Sequence, residues 1–188
     1  HNNITEPQTL AMARISRELQ AKGIDVISLS IGEPDFDTPD FIKEAAKNAI
    51  DNNFSHYTPV PGYLDLREAI CTKFKRDNDL IYSPDEIVVS TGAKQSIANV
   101  ILALIDKDDE VIIPTPYWVS YSEQVKLADG KVVFIPSTVE SNFKISAEQM
   151  QKAITPKSKL MIFSTPCNPS GAVYTKAELK AFADVIAQ

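Results

Sequence analysis

Residues 86–113 run EIVVSTGAKQSIANVILALIDKDDEVII, and their order decides the fold. Glu86–Val89 is a short apolar strand-like run, and Ser90–Lys94 is a loop carrying one glycine. Gln95–Leu104 places Ile97, Val100, Ile101 and Leu104 on one helical face, and Glu110–Ile113 is a second apolar run. Two continuous apolar runs joined by an amphipathic helix make a parallel strand–helix–strand unit, because parallel strands need a long crossover and such sheets are covered on both faces.

The alternation continues downstream. Ser120–Leu127 is expected to be helical and Lys131–Ile135 a strand. Ser146 and Gln149 form a capping box that opens a helix to Ile154, and Lys159–Phe163 is a further strand. A second capping box, Thr175 with Glu178, opens a last helix bearing Leu179, Phe182, Ala183 and Ile186. Upstream, a helix over Thr9–Ala21 closes at Gly23, and Val26–Leu29 reads as a short strand. Thr38 can cap, and Pro39 can begin, a helix that ends near Asn52; another runs through Leu66, Ile70 and Phe74. The fold class is therefore α/β, a mostly parallel sheet with helices on both faces. A last helix of this kind normally returns to another strand. With that strand lacking and His1 in place of an initiator Met, the expectation is a fragment cut inside a domain.

Composition narrows the function. A chain of 188 residues, 44% hydrophobic and 23% charged, fits a folded globular domain. The net charge of -6 gives no basic stripe, so nucleic acid is not the expected partner. No apolar run spans a bilayer, so no membrane association is expected. Cys71 and Cys167 are far apart and neither belongs to a CxxC pair, which argues against a disulfide framework or a zinc site and fits the cytoplasm. No metal is expected.

In parallel sheets ligands bind beyond the carboxyl ends of the strands. Three loops there have unusual contents. Ser90-Thr91-Gly92-Ala93-Lys94 leads into a helix start, where backbone N–H groups and the dipole favour an anion. The glycines fall at 23, 32, 62, 92, 130 and 171, so neither GxGxxG nor GxxxxGK[ST] occurs. Pro114-Thr115-Pro116-Tyr117-Trp118 brings the only tryptophan to the sheet mouth, and Thr165-Pro166-Cys167-Asn168-Pro169 fixes an amide between prolines. Taken singly, Gly92 can be a turn residue, Trp118 a core cap and Asn168 an Asx-type turn. Together they offer an anion cup, an aromatic plate and an amide donor, which suit a phosphorylated aromatic cofactor.

Several motifs resemble those of the class I aminotransferases of fold type I, the pyridoxal-phosphate enzymes. They are Gly32-Glu33-Pro34-Asp35-Phe36 with Thr38-Pro39, Tyr57 with Pro61-Gly62 and Leu66-Arg67, Gly92-Ala93-Lys94-Gln95, Pro116-Tyr117-Trp118 and Asn168-Pro169-Ser170-Gly171. The similarity extends over nearly the whole chain and is closest to the aspartate/prephenate subgroup. It departs at Cys167, where many relatives have Asn, and at Ser170, where Thr is usual.

The resemblance implies a truncated large domain. Residues 1–31 would form an N-terminal arm and small-domain segment, and 32–188 the front part of the domain that binds pyridoxal 5'-phosphate. Backbone N–H groups of Gly92, Ala93 and Lys94 would hold the cofactor phosphate, Trp118 would stack on its ring, and Asn168 would bond its phenolic oxygen. Tyr57 would reach the phosphate of a neighbouring subunit, which implies a homodimer. Gly32, Trp118 and Asn168 would seat the substrate, with Thr9 and Lys94 at its distal acid, favouring aspartate with 2-oxoglutarate by a ping-pong mechanism. Aromatic, alanine or prephenate aminotransferases, and a lyase or synthase of the same fold, stay open, as does a noncatalytic binding module. The lysine that carries the cofactor, the aspartate at its ring nitrogen and the arginine that clamps the substrate would lie beyond Gln188. No catalytic residue is expected here, and the chain alone is expected to be inactive.

Overall fold

The computed structural model describes the backbone of residues 8–29 and 32–188, and side chains from residue 11 onward within that span. The elements in order are α1 (Gln8–Ala21), α2 (Asp40–Asp51), α3 (Leu64–Asn78), a 3₁₀ turn (Pro84–Glu86), α4 (Ala93–Leu104), β1 (Glu110–Thr115), α5 (Ser120–Leu127), β2 (Lys131–Pro136), α6 (Ala147–Ala153), β3 (Ser158–Met161) and α7 (Lys176–Ile186). Contacts divide the chain into two units, one of residues up to 30 with 93–188, the other of 31–92.

The larger unit is built on a three-stranded parallel sheet in the order β2-β1-β3. Val111 pairs with Val132 on one side and Leu160 on the other, and Ile112 with Val133 and Met161. Side chains alternate across a strand, and the two cores follow from that. Val111 and Ile113 face one side, packing with Ile101 and Ile105 at the end of α4 and with Tyr121 and Val125 of α5. Ile112 and Ile135 face the other, packing with Met150 of α6, with Tyr174 ahead of α7 and with Phe182 of α7. Ile101, Ile113, Met150, Val111 and Val125 are almost fully buried, each stabilising the fold by about 1.5–3 kcal/mol relative to exposure. Helices thus cover both faces, as the alternation in sequence requires.

The two capping boxes form as expected. Gln149 N–H donates to Ser146 Oγ at 3.1 Å and Ser146 N–H to Gln149 Oε1 at 2.9 Å; Thr175 and Glu178 do the same at the start of α7. Lys144 joins the loop before α6 to α7 through Glu178 at 2.7 Å and the Val173 carbonyl at 3.3 Å.

In the smaller unit, Gly62 is required twice over. Its φ of +99 is unfavourable for other residues, and a Cβ there would lie 2.6 Å from Val89 Cγ2. Val89 N–H donates to Pro61 O at 2.9 Å, and Arg67 Nη1 donates to Pro84 O at 2.8 Å with its side chain only 12% exposed.

Three local expectations differ. Val26–Leu29 and Glu86–Val89 are not strands among the described residues. A strand is made by its neighbour: Val89 spends its N–H on Pro61, and Ile27 and Leu29 stand exposed without a partner strand among the described residues. The cap of α2 is Pro39 itself, with no side-chain bond from Thr38; Asp40 opens the helix and pairs with Lys43 at 2.7 Å. No helix among the described residues is long and apolar enough to cross a membrane.

Candidate functional site

The carboxyl ends of β1 and β3 and the start of α4 lie in the larger unit. After β1, the Tyr117 hydroxyl donates to Ser122 Oγ at 3.1 Å, and its ring lies 5.2 Å from that of Phe134. This hydrogen bond and ring contact fix the turn that delivers Trp118. The indole is half-buried and meets Tyr121 edge-on at 5.5 Å and 89°. It also packs on the apolar core beneath α4 and α5, as a core cap does.

Helix α4 starts at Ala93, and the first N–H groups of a helix have no acceptor inside it. Lys94 Nζ stands 4.8 Å above the Trp118 ring, a cation–π distance. The carbonyl of Lys94 accepts from Gln124 Nε2 at 2.8 Å. The positive helix start and the aromatic plate therefore adjoin one another. Gly92, the last residue of the 31–92 unit, has φ +82, and its N–H donates to Ser90 O at 2.8 Å. A left-handed turn immediately before a helix is a glycine's place.

The loop after β3 is laced to itself. Gly171 N–H donates to Cys167 O at 2.7 Å, Cys167 N–H to Ala172 O at 2.8 Å, Asn168 N–H to Ser164 Oγ at 3.2 Å and Tyr174 N–H to Thr165 Oγ1 at 3.0 Å. Cys167 Sγ reaches Pro116 O at 3.5 Å, linking this loop to the one that carries Trp118. Asn168 is exposed at its tip. Beneath, Ile145 N–H donates to the Tyr174 hydroxyl at 2.9 Å; burial raises the pKa of that phenol, and the Ile145 bond opposes the rise. Glu178, held first by its side-chain bond to Lys144 and then by Thr175, is lowered to about 2.

Lys94 and Trp118 are thus in contact, Ala93 is beside Lys94 in the chain, and Asn168 is on a loop tied to the one that carries Trp118. Gly32 and Tyr57 belong to the smaller unit, where both are exposed; a Cβ on Gly32 would meet nothing within 4 Å, so the fold of that unit does not itself demand glycine there. Thr9 is in α1, but its side chain lies outside the described residues. Sequence reasoning missed Gln124 and the Cys167–Pro116 link. A polar residue on a short helix carries no pattern that would have marked the first. Cys167 stood out only as a departure from a motif. No group of three His, Cys, Asp or Glu that could hold a metal exists among the described residues.

A helix start, a flat ring face bearing a cation and an exposed amide fit an anionic, planar ligand. Comparison with known proteins gives the family. The family model described as aminotransferase class I and II matches residues 24–188. A probable aspartate/prephenate aminotransferase of Rickettsia bellii (strain RML369-C) is 53% identical over 185 residues, covering 98% of this chain and 46% of the relative. The aspartate/prephenate aminotransferase of Cereibacter sphaeroides (strain ATCC 17029 / ATH 2.4.9) is 51% identical over 95% of this chain and 45% of its own length. Among solved structures, aspartate aminotransferase from Thermus thermophilus with maleate superposes with a TM-score of 0.95 at 41% identity, over 99% of this chain and 49% of that one. The chain spans about half the length of the curated relatives it matches.

Proposed function

The chain belongs to the aminotransferase class I and II family, and from that premise we propose that the full-length protein is a pyridoxal-phosphate-dependent aminotransferase. It moves the amino group of an L-amino acid, aspartate in the first instance, to 2-oxoglutarate by a ping-pong cycle. The observation that carries this is the pairing of Lys94 with Trp118, 4.8 Å apart, at the ligand-binding end of the sheet.

When bound, the cofactor supplies an electron sink for charge developing at the substrate's Cα. This chain's residues bind and orient. Backbone N–H groups of Gly92, Ala93 and Lys94 would receive the phosphate at the positive end of α4, that of Gly92 by sharing or leaving its bond to the Ser90 carbonyl. The Trp118 indole fixes the plane of the ring, and the Asn168 amide donates to the ring oxygen and helps seat the substrate carboxylate. Gly32 leaves space for that carboxylate, and Lys94 and Thr9 meet the distal acid of a dicarboxylic substrate. Tyr57 reaches the phosphate of a second subunit in a homodimer. Residues 1–31 act as arm and small-domain segment, 32–188 as part of the cofactor-binding domain, and the protein works in the cytoplasm.

Aspartate is favoured by the names of the relatives and by the maleate, a dicarboxylate, in the Thermus thermophilus structure. Prephenate is a second acceptor to test, since the same relatives are named for it. The deciding experiment purifies the full-length protein and follows its visible absorbance, borohydride reduction and transamination of aspartate, alanine, phenylalanine and prephenate. A yellow, borohydride-reducible protein that transaminates aspartate fastest is expected. A colourless protein without a reducible adduct would sink the proposal, and release of ammonia or thiol without a 2-oxo-acid acceptor would replace it with a lyase.

A further inference from the structure

Gln124 lies outside every motif quoted above, yet it joins two parts of the candidate cradle. It sits on α5, six residues past Trp118, and its Nε2 donates to the Lys94 carbonyl at 2.8 Å, across 30 residues of sequence. Lys94 is the second residue of α4. The peptide unit is planar, so holding its oxygen fixes the orientation of the first helical turn. The same residue's ammonium stands over Trp118, so Lys94 is held from α5 at its carbonyl and rests on the indole at its other end. The helix start and the ring plate are thereby kept at one spacing.

The other end of the amide is informative. Gln124 Oε1 is buried and takes no hydrogen bond from any described residue. A buried acceptor left without a donor is a cost to folding, so stability alone would favour an apolar side chain of the same length. What the glutamine supplies is the donor on Lys94.

We propose that Gln124 is a positioning residue for the phosphate cup: its amide holds the first turn of α4 so that the Ala93 and Lys94 N–H groups face the cofactor phosphate at a fixed distance from the Trp118 ring. This rests on the cofactor reading above. It is not a catalytic residue, since it acts through the Lys94 backbone.

The test compares pyridoxal 5'-phosphate with pyridoxal, which has the same ring and lacks the phosphate, as ligands of the full-length protein. Gln124→Met keeps length and removes the donor. Gln124→Glu keeps shape and turns a carboxylate toward the Lys94 oxygen. Gln124→Met is expected to weaken pyridoxal 5'-phosphate about fivefold, the scale of one hydrogen bond, with thermal stability of the apoprotein equal or higher and pyridoxal affinity unchanged. Gln124→Glu is expected to weaken the phosphate ester further, again sparing pyridoxal, and to shift the ³¹P resonance of the bound cofactor. Equal losses for both ligands, or no loss for the phosphate ester, would overturn the role of Gln124. A wild-type protein that does not prefer the phosphate ester to pyridoxal would overturn the phosphate cup itself, a distinct failure.

Discussion

At the scale of single residues, the candidate site is a set of side chains whose structural roles sit beside the roles proposed for them. Trp118 caps an apolar core and offers a ring face; Asn168 stands at the tip of a loop whose backbone bonds are otherwise internal. Asn168→Ala in the full-length protein should leave the loop folded, because no backbone bond of that loop uses the lost amide. It should reduce kcat/KM by about 10- to 100-fold, the loss of a hydrogen bond to a charged oxygen. Steady-state kinetics with aspartate checks it. Lys94→Met removes the cation over Trp118 and should lower the preference for aspartate over alanine by about tenfold while sparing alanine itself; kcat/KM for the two amino acids decides. These residues were legible in sequence as types in loops, and Gly92 was legible as a turn glycine. Gln124 was not: its importance lies in a contact 30 residues away, which no local pattern encodes.

At the scale of elements, helices with side-chain caps were the most legible, because a capping box is a local chemical arrangement written within four residues. Ser146 and Gln149, and Thr175 and Glu178, form the bonds their spacing predicts. Strands were legible only where a partner exists in the same unit: β1, β2 and β3 formed, while 26–29 and 86–89 did not. Ser146→Ala should destabilise the protein by about 1 kcal/mol, read as a shift in the urea midpoint without change in m. The Lys144–Glu178 pair makes a pH prediction. Glu178 is depressed from 4.5 to about 2 in the folded protein, so its contribution to stability is fully present above pH 4.5 and fades as pH falls toward 2. Glu178→Gln, which keeps a side chain able to complete the cap, should flatten the pH dependence of stability in that window; an unchanged acid limb in denaturant titrations would contradict the assignment.

At the scale of the whole molecule, the alternation of strands and helices predicted an α/β architecture, and the three-stranded parallel sheet with apolar cores on both faces has it. The proposed cradle would comprise an anion cup, a ring plate and an amide, while the lysine and arginine of the proposed cycle are not assigned to any residue of this chain. Lys157 and Lys159 stand at the amino end of β3, away from the loops that carry Trp118 and Asn168. The 188-residue chain assayed alone should therefore show no transamination. A crystal structure of the full-length protein with pyridoxal 5'-phosphate tests the central claim most directly. The phosphate is expected within hydrogen-bond distance of the Gly92, Ala93 and Lys94 N–H groups, the ring stacked on Trp118 and its phenolic oxygen on Asn168. A cofactor bound elsewhere, or with its phosphate turned away from the start of α4, would contradict it.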